Sequence, residues 1–130
     1  MAITQENVNE AKSGYAPVNA LQMYYEMEGS GKPLIYIPPA FGVAGVNRFP
    51  SLIKNHRVIT PELHGHGRTA NIVDRPIRFE QPANDVVALM KRLDIQRADF
   101  LGESFGGLIA TMIAIQHPEL VRRVATYGSI

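Results

Sequence analysis

The stretch Ala98-Asp99-Phe100-Leu101-Gly102-Glu103-Ser104-Phe105-Gly106-Gly107-Leu108-Ile109-Ala110 constrains the fold more than any other part of the chain. A short apolar run enters Gly-x-Ser-x-Gly-Gly and a long apolar segment leaves it, which is the order strand, very tight turn, helix. Ser104 stands at the apex. Gly102 and Gly106 flank it because a side chain at either place collides across so sharp a reversal. Gly107 lets the helix pack close to the sheet. Phe105 opens the helix, so its N–H has no partner within the helix and is free to meet an anion. Gly-x-Ser-x-Gly alone recurs by chance, and a small-residue loop needs no catalysis. The surroundings favour a nucleophile elbow. From Phe105 to about Gln116, before His117-Pro118, Leu108, Ile109, Met112, Ile113 and Ile115 join Ala110 and Ala114. Such a segment is apolar nearly all round, as a helix buried against a sheet is.

The rest of the chain supplies strands and helices in alternation. Residues 1–14 lack periodicity and read as a flexible tail. From Tyr15 to Glu28 two short strands meet at Val18-Asn19-Ala20, and in the second Leu21, Met23, Tyr25 and Met27 alternate with polar or exposed positions. Gly29 to Pro33 is a turn. Leu34-Ile35-Tyr36-Ile37 is a continuous apolar run, as in a central parallel strand covered on both faces. A weak helix is expected from about Val43 to Lys54, and a strand over Arg57–Thr60. Residues 70–78 are irregular. Phe79, Ala83, Val86, Val87, Met90 and Leu93 then recur at helical spacing, with Asp85, Lys91 and Arg92 on the other side. Pro82 fits only a first turn, so this helix starts near Gln81. Val121 to Tyr127 is a last strand. The implied fold is α/β: a mostly parallel sheet with helices on both faces and an antiparallel N-terminal hairpin.

Composition narrows the functions. The chain has 130 residues, enough for one domain with a core, and a formal net charge of +1. That balance gives no electrostatic reason to expect nucleic acid as a partner. There is no cysteine, which excludes disulfides, thiolate metal sites and a thiol nucleophile. No stretch approaches the roughly 20 apolar residues of a membrane span. Met1–Ser13 lacks the basic start and apolar core of a secretory signal. A cytoplasmic protein without membrane partners is expected.

Three segments in order resemble the α/β-hydrolase family. Gly102-Glu103-Ser104-Phe105-Gly106-Gly107 resembles its nucleophile elbow. Val58 to Thr69, with Glu62-Leu63-His64-Gly65-His66-Gly67-Arg68-Thr69, resembles its strand and Asp-x-x-Gly-x-Gly-x-Ser loop. His117-Pro118-Glu119-Leu120-Val121-Arg122-Arg123-Val124 resembles the link that follows the elbow helix. The resemblance covers about residues 15–130 and identifies them as the N-terminal portion of such a domain. It implies a serine hydrolase acting on an ester-like or related acyl bond of a small-molecule substrate, without a cofactor. Ser104 is then the nucleophile, and the N–H groups of Phe105 and Ala40 form the oxyanion hole. Serine rather than aspartate in the elbow argues against dehalogenase- and epoxide-hydrolase-type chemistry. It leaves esterases, lactonases, carbon–carbon hydrolases and perhydrolase-like members.

Two departures stand out. Pro38-Pro39-Ala40 replaces the family's His-Gly-x, and Pro39 fixes φ and has no N–H. The family's triad runs serine, acid, histidine along the chain, and the resemblance places the last two beyond Ile130. His56 and His117 belong to the sheet's far end; His64 and His66 lie in a loop on Ser104's edge that the family does not use for its base. The alternative is therefore a truncated or non-catalytic fragment, active only if another chain completes it. On that reading the chain hydrolyses little and self-associates through an exposed last strand. His64-Gly65-His66 without a third ligand is weak support for a metal, and none is expected. Gly65-x-Gly67-x-x-Ala70 matches a loose dinucleotide pattern, but residues 71–76 make a poor helix start. Tyr24, Tyr25 and Tyr36 read as strand residues, since no basic patch is interleaved with them. Glu103 reads as a polar neighbour without a catalytic role.

Overall fold

The computed structural model describes residues 11–45 and 49–128. Six strands form one sheet: β1 (Lys12–Val18), β2 (Leu21–Glu28), β3 (Lys32–Ile37), β4 (His56–Pro61), β5 (Ala98–Glu103) and β6 (Val121–Tyr127). Their order across the sheet is β1-β2-β4-β3-β5-β6. β1 and β2 are antiparallel, as are β2 and β4, while β4, β3, β5 and β6 run parallel. This is the mostly parallel α/β sheet with an antiparallel N-terminal hairpin that the alternation implied. The hairpin turns on Asn19 and Ala20, both left-handed at φ 48° and 69°, the handedness that matches the twist of paired strands.

Among the described residues two α-helices complete the core, α1 (Gln81–Arg92) and α2 (Phe105–Gln116). They touch each other and share one face, α1 against β1 and α2 against β3, β5 and β6; of the helices expected on both faces, these two lie on the same one among the described residues. Ile35, Ile37, Ile59 and Phe100 from the strands meet Val86, Leu89, Met90, Ile109 and Ile113 from the helices. Each such side chain contributes roughly 1.5–3 kcal/mol by leaving water. Tyr36 projects to the opposite face, where its ring meets Phe49 edge-on. Helical structure near that segment is a short 3-10 helix, Pro50–Lys54, against β4.

Several expectations need correction. Of the helix foreseen over Val43–Lys54, only the 3-10 turn at its end forms among the described residues; Val46–Arg48 lie outside them. Gly45 at φ 90° stands in its path. The strand at the N-terminus starts at Lys12, paired with Met27, not at Tyr15; residues 1–10 of the foreseen tail lie outside the described residues. Phe79 falls in the loop before α1 and is exposed, because the helix opens at Gln81 with proline in its first turn. Asp85, assigned to the outer face of α1, is buried. Arg75, Asn19 and Gln81 converge on its Oδ1, so its charge is compensated inside.

Candidate active site

The strand, tight turn and helix around Ser104 form where expected. Ser104 sits between β5 and α2 at φ 53° and ψ −116°, a conformation that costs a non-glycine residue on the order of 1–3 kcal/mol. It persists because the surroundings leave no alternative. A Cβ on Gly106 would stand 2.0 Å from the carbonyl oxygen of Ile37, and one on Gly102 would stand 2.3 Å from that of Gly106. Helix α2 thus starts in backbone contact with the end of β3. The N–H of Ser104 donates to the carbonyl of Tyr127 on β6 at 2.8 Å, and its own carbonyl accepts from Gly107 N–H at 2.9 Å. The residue itself is exposed at the sheet's carboxyl edge.

The second strand that serves this edge is β3. Ile37 pairs with Gly102 as the last register pair between β3 and β5. Ala40 and Phe105 each lie three residues past that pair, one in the turn after β3 and the other opening α2, and the two strands that deliver them are about 4.8 Å apart. Pro39 does not spoil this turn. Its carbonyl accepts from Gly42 N–H at 2.8 Å, a role that needs no N–H of its own. Ala40 keeps its N–H outside that bond. The left-handed place in the turn falls to Phe41, at φ 63° and with 91% of its surface exposed. Gly42 is required next, because a Cβ there would lie 2.7 Å from that of Pro38.

The loop after β4 is held quite differently. Glu62, at the acidic position of the Asp-x-x-Gly-x-Gly-x-Ser pattern, is fully buried. Its Oε1 accepts from the backbone and Nε of Arg68 at 2.7 and 3.1 Å. Its Oε2 accepts from Arg68 Nη2 at 2.8 Å and Ala44 N–H at 2.9 Å. That hydrogen bond to Glu62 raises the Arg68 guanidinium further above its ordinary value. Thr69 bonds the Glu62 carbonyl and accepts from Tyr24 N–H, tying the loop to β2. Arg68 also lies over the Tyr24 ring. This hub escaped the sequence reading, although its signal, an acid at the head of a glycine-rich loop, was in view.

The histidines divide by edge. His56 opens β4 at the opposite end of the sheet, 3.5 Å from Asp99, which Arg122 grips through both oxygens. The Arg122 guanidinium holds the Asp99 carboxyl below its usual value. His117 caps the far end of α2 beside Glu119, about 18 Å along the helix from Ser104. His64 and His66 do lie on the carboxyl edge. Ile72 N–H donates to His64 Nε2 at 2.8 Å, so that lone pair is engaged. Burial, followed by the charge of Arg75, lowers the His64 pKa. His66 Nδ1 donates to the His64 carbonyl at 2.9 Å, and its ring stacks on Phe41. β3 separates β4, which leads to these histidines, from β5, a spacing of about 10 Å between strand axes. Among the described residues no group of three His, Cys, Asp or Glu side chains is arranged to hold a metal. Nor is any helix long and apolar enough to cross a membrane.

A mostly parallel sheet that delivers a left-handed serine from a central strand straight into a helix defines the class: α/β proteins built around a strand–serine–helix elbow. The sequence profile of the alpha/beta hydrolase fold matches residues 33–130, and the chain belongs to that family. It is 40% identical over 80 residues to 2-hydroxymuconate semialdehyde hydrolase of Pseudomonas sp. (strain CF600), covering 62% of this chain and 28% of that protein. It is 28% identical over 124 residues to the serine hydrolase BPHL of Homo sapiens, covering 90% of this chain and 43% of the relative. Among solved structures it matches the meta-cleavage product hydrolase CumD of Pseudomonas fluorescens IP01, a serine-to-alanine variant complexed with acetates. The TM-score is 0.82 at 28% identity, over 91% of this chain and 44% of that one. These relatives are hydrolases, and the chain spans less than half of the length of each.

Proposed function

We propose that this chain carries the nucleophile and oxyanion hole of a serine hydrolase that acts on an ester-like or related acyl bond of a small molecule. Ser104 Oγ attacks the carbonyl carbon, and the N–H groups of Phe105 and Ala40 receive the negative charge on oxygen. The general base is a histidine, oriented by an acid, on polypeptide other than these 130 residues: His56 opens β4 at the opposite end of the sheet, His117 caps the far end of α2, and His64 and His66 follow β4, which β3 separates from β5 by about 10 Å. Collapse of the tetrahedral intermediate releases the leaving group and leaves an acyl-serine, which water then cleaves. No cofactor enters these steps. The names of the relatives, a semialdehyde hydrolase and a meta-cleavage product hydrolase, make semialdehydes and meta-cleavage products substrates to test next to esters.

The observation that carries this reading is the strained Ser104, held by glycines against β3 and opening α2. Strain of this kind is kept where it serves chemistry. Labelling by a fluorophosphonate probe tests it: the chain is expected to label slowly, and Ser104→Ala not at all. Labelling that survives in Ser104→Ala overturns the assignment. The isolated chain is expected to have low turnover and to self-associate through β6, the edge strand of the sheet, where Val124 and Tyr127 are 44% and 59% exposed. A monodisperse monomer at high concentration in sedimentation analysis counts against that last part.

A further inference from the structure

We infer that Tyr36 and Glu103 form a cross-strand clamp that sets the spacing between the two halves of the oxyanion hole. Both are positioning residues, and the inference rests on the acyl-transfer reading above. Tyr36 pairs with Leu101 across β3 and β5, so Glu103, two residues further on, is its diagonal neighbour on the same face. Such neighbours are within reach of long side chains. The Tyr36 hydroxyl donates to Glu103 Oε2 at 2.6 Å, and both residues are buried, at 7% and 6% exposure.

The location gives this bond its consequence. The ladder between β3 and β5 ends at Ile37 and Gly102. Beyond it the two chains part, one toward Ala40 and the other through Ser104 to Phe105. The backbone contact of Gly106 with Ile37 limits how closely α2 approaches β3, but a steric contact acts only against compression. The hydrogen bond from Tyr36 to Glu103 resists separation at the same level. The two together fix a distance, where either alone would bound it from one side. An apolar pair would fill this space without the desolvation that a buried carboxylate suffers, but it would hold the strands by a soft, non-directional contact.

The clamp also reaches the third strand. The Phe49 ring lies edge-on to Tyr36 at 5.9 Å and to Tyr127 at 6.4 Å. Tyr127 is the residue whose carbonyl accepts the Ser104 N–H. Ser104 is therefore held directly from β6, and its neighbour Glu103 from β3, with Phe49 packed between the two tyrosines.

The test compares the full chain with Tyr36→Phe, Glu103→Gln, Glu103→Leu and the double variant Tyr36→Phe/Glu103→Leu. The readouts are the second-order rate of fluorophosphonate labelling, kcat and KM for p-nitrophenyl acetate, and the thermal midpoint. Tyr36→Phe and Glu103→Leu are expected to slow labelling and lower kcat about 10- to 100-fold with KM little changed, as misplacement of a donor by about an ångström does. Glu103→Gln, whose amide oxygen still accepts from Tyr36, is expected to recover most of the rate. The double variant is expected to be no slower than the worse single one. A Tyr36→Phe chain of unchanged labelling rate overturns the clamp, as does Glu103→Gln as slow as Glu103→Leu. If Glu103→Leu fails to fold, Tyr36→Phe, which removes one oxygen atom, still decides. A wild-type chain that does not label overturns the acyl-transfer reading and the clamp together; a labelled wild type with unaffected variants overturns the clamp alone.

Discussion

Two loops leave the carboxyl edge of this sheet on either side of β3, and they are held by opposite means. The elbow after β5 is fixed by exclusion: Gly102 and Gly106 sit so close to other backbone that no side chain fits. The loop after β4 is fixed by attraction to a fully buried carboxylate, Glu62, whose two oxygens accept four hydrogen bonds. Exclusion leaves the serine exposed and its surroundings open to a reacting molecule. Attraction fills its own centre and leaves nothing there to react. On the proposed reading, a charged hub suits a wall of the candidate site, and a steric hub suits its centre.

The comparison predicts unequal responses to mutation. The largest effect belongs to Gly106→Ala. The new methyl meets the Ile37 carbonyl oxygen, which is part of the β3 backbone and has nowhere to go. A loss of about 4 kcal/mol or more in urea unfolding is expected, the range of exceptional single mutations. A loss under 1 kcal/mol would mean that α2 can slide away from β3, and that exclusion does not hold the elbow.

Glu62→Ala comes second. It leaves the Ala44 and Arg68 backbone N–H groups without their acceptor. Unsatisfied buried donors cost about 1–3 kcal/mol each, so a loss of about 3 kcal/mol by urea unfolding is expected. The guanidinium of Arg68 stays hydrated and adds little, since its side chain is 47% exposed. Glu62→Gln sharpens the comparison. It keeps one acceptor oxygen but turns an amide NH2 toward donors, so it is expected to lose nearly as much as Glu62→Ala. A Gln variant as stable as the wild type would show that shape, not charge, matters at this hub.

Gly67→Ala lies on the border between the two mechanisms. Gly67 is left-handed at φ 53°, and a Cβ there would lie 2.5 Å from Glu62 Cδ. The obstacle is a side chain, though one pinned by its four bonds. A loss of about 2 kcal/mol is expected from the left-handed backbone and the displaced carboxylate. In Glu62→Ala the same substitution should cost only the backbone part, about 1 kcal/mol. Additive losses in the double variant would break the claim that the two residues form one unit.

What could be read from the chain before its structure follows the same division. Exclusion writes itself into sequence, because only glycine satisfies it, and so Gly102, Ser104 and Gly106 announced the elbow and α2 appeared at its foreseen bounds. Attraction is harder to see. The partners of Glu62 include Ala44, distant in sequence, and those of Asp85 include Asn19 and Arg75. Helical periodicity therefore placed Asp85 on the wrong face. The clamp between Tyr36 and Glu103 joins residues 67 positions apart, and Glu103 alone looked like an ordinary neighbour of the serine. The short 3-10 turn in place of a longer helix reflects local chemistry, with Gly45 left-handed and Pro50 opening the turn.

The smallest effect concerns the wall. His64 accepts from Ile72 N–H through Nε2, which only the unprotonated nitrogen can do. Burial and the nearby Arg75 lower its folded-state pKa below the ordinary value of 6.5. A depressed histidine pKa means that the unfolded chain takes up the proton first. The contribution of His64 to stability is therefore complete above about pH 6.5 and declines as pH falls through that value toward the folded pKa. The protonated ring must release the Ile72 amide, so the loop is expected to loosen locally on acidification while the backbone hydrogen bonds of Ser104 with Tyr127 and Gly107 stay fixed. Amide resonances followed by NMR across pH 7.5 to 5 would register this as a shift of Ile72 in step with His64 titration and no matching change at Ser104 or Gly107. Parallel movement of Ser104 and Ile72 would mean that the two loops are mechanically coupled, and that a site held by exclusion still yields to what happens in its charged wall.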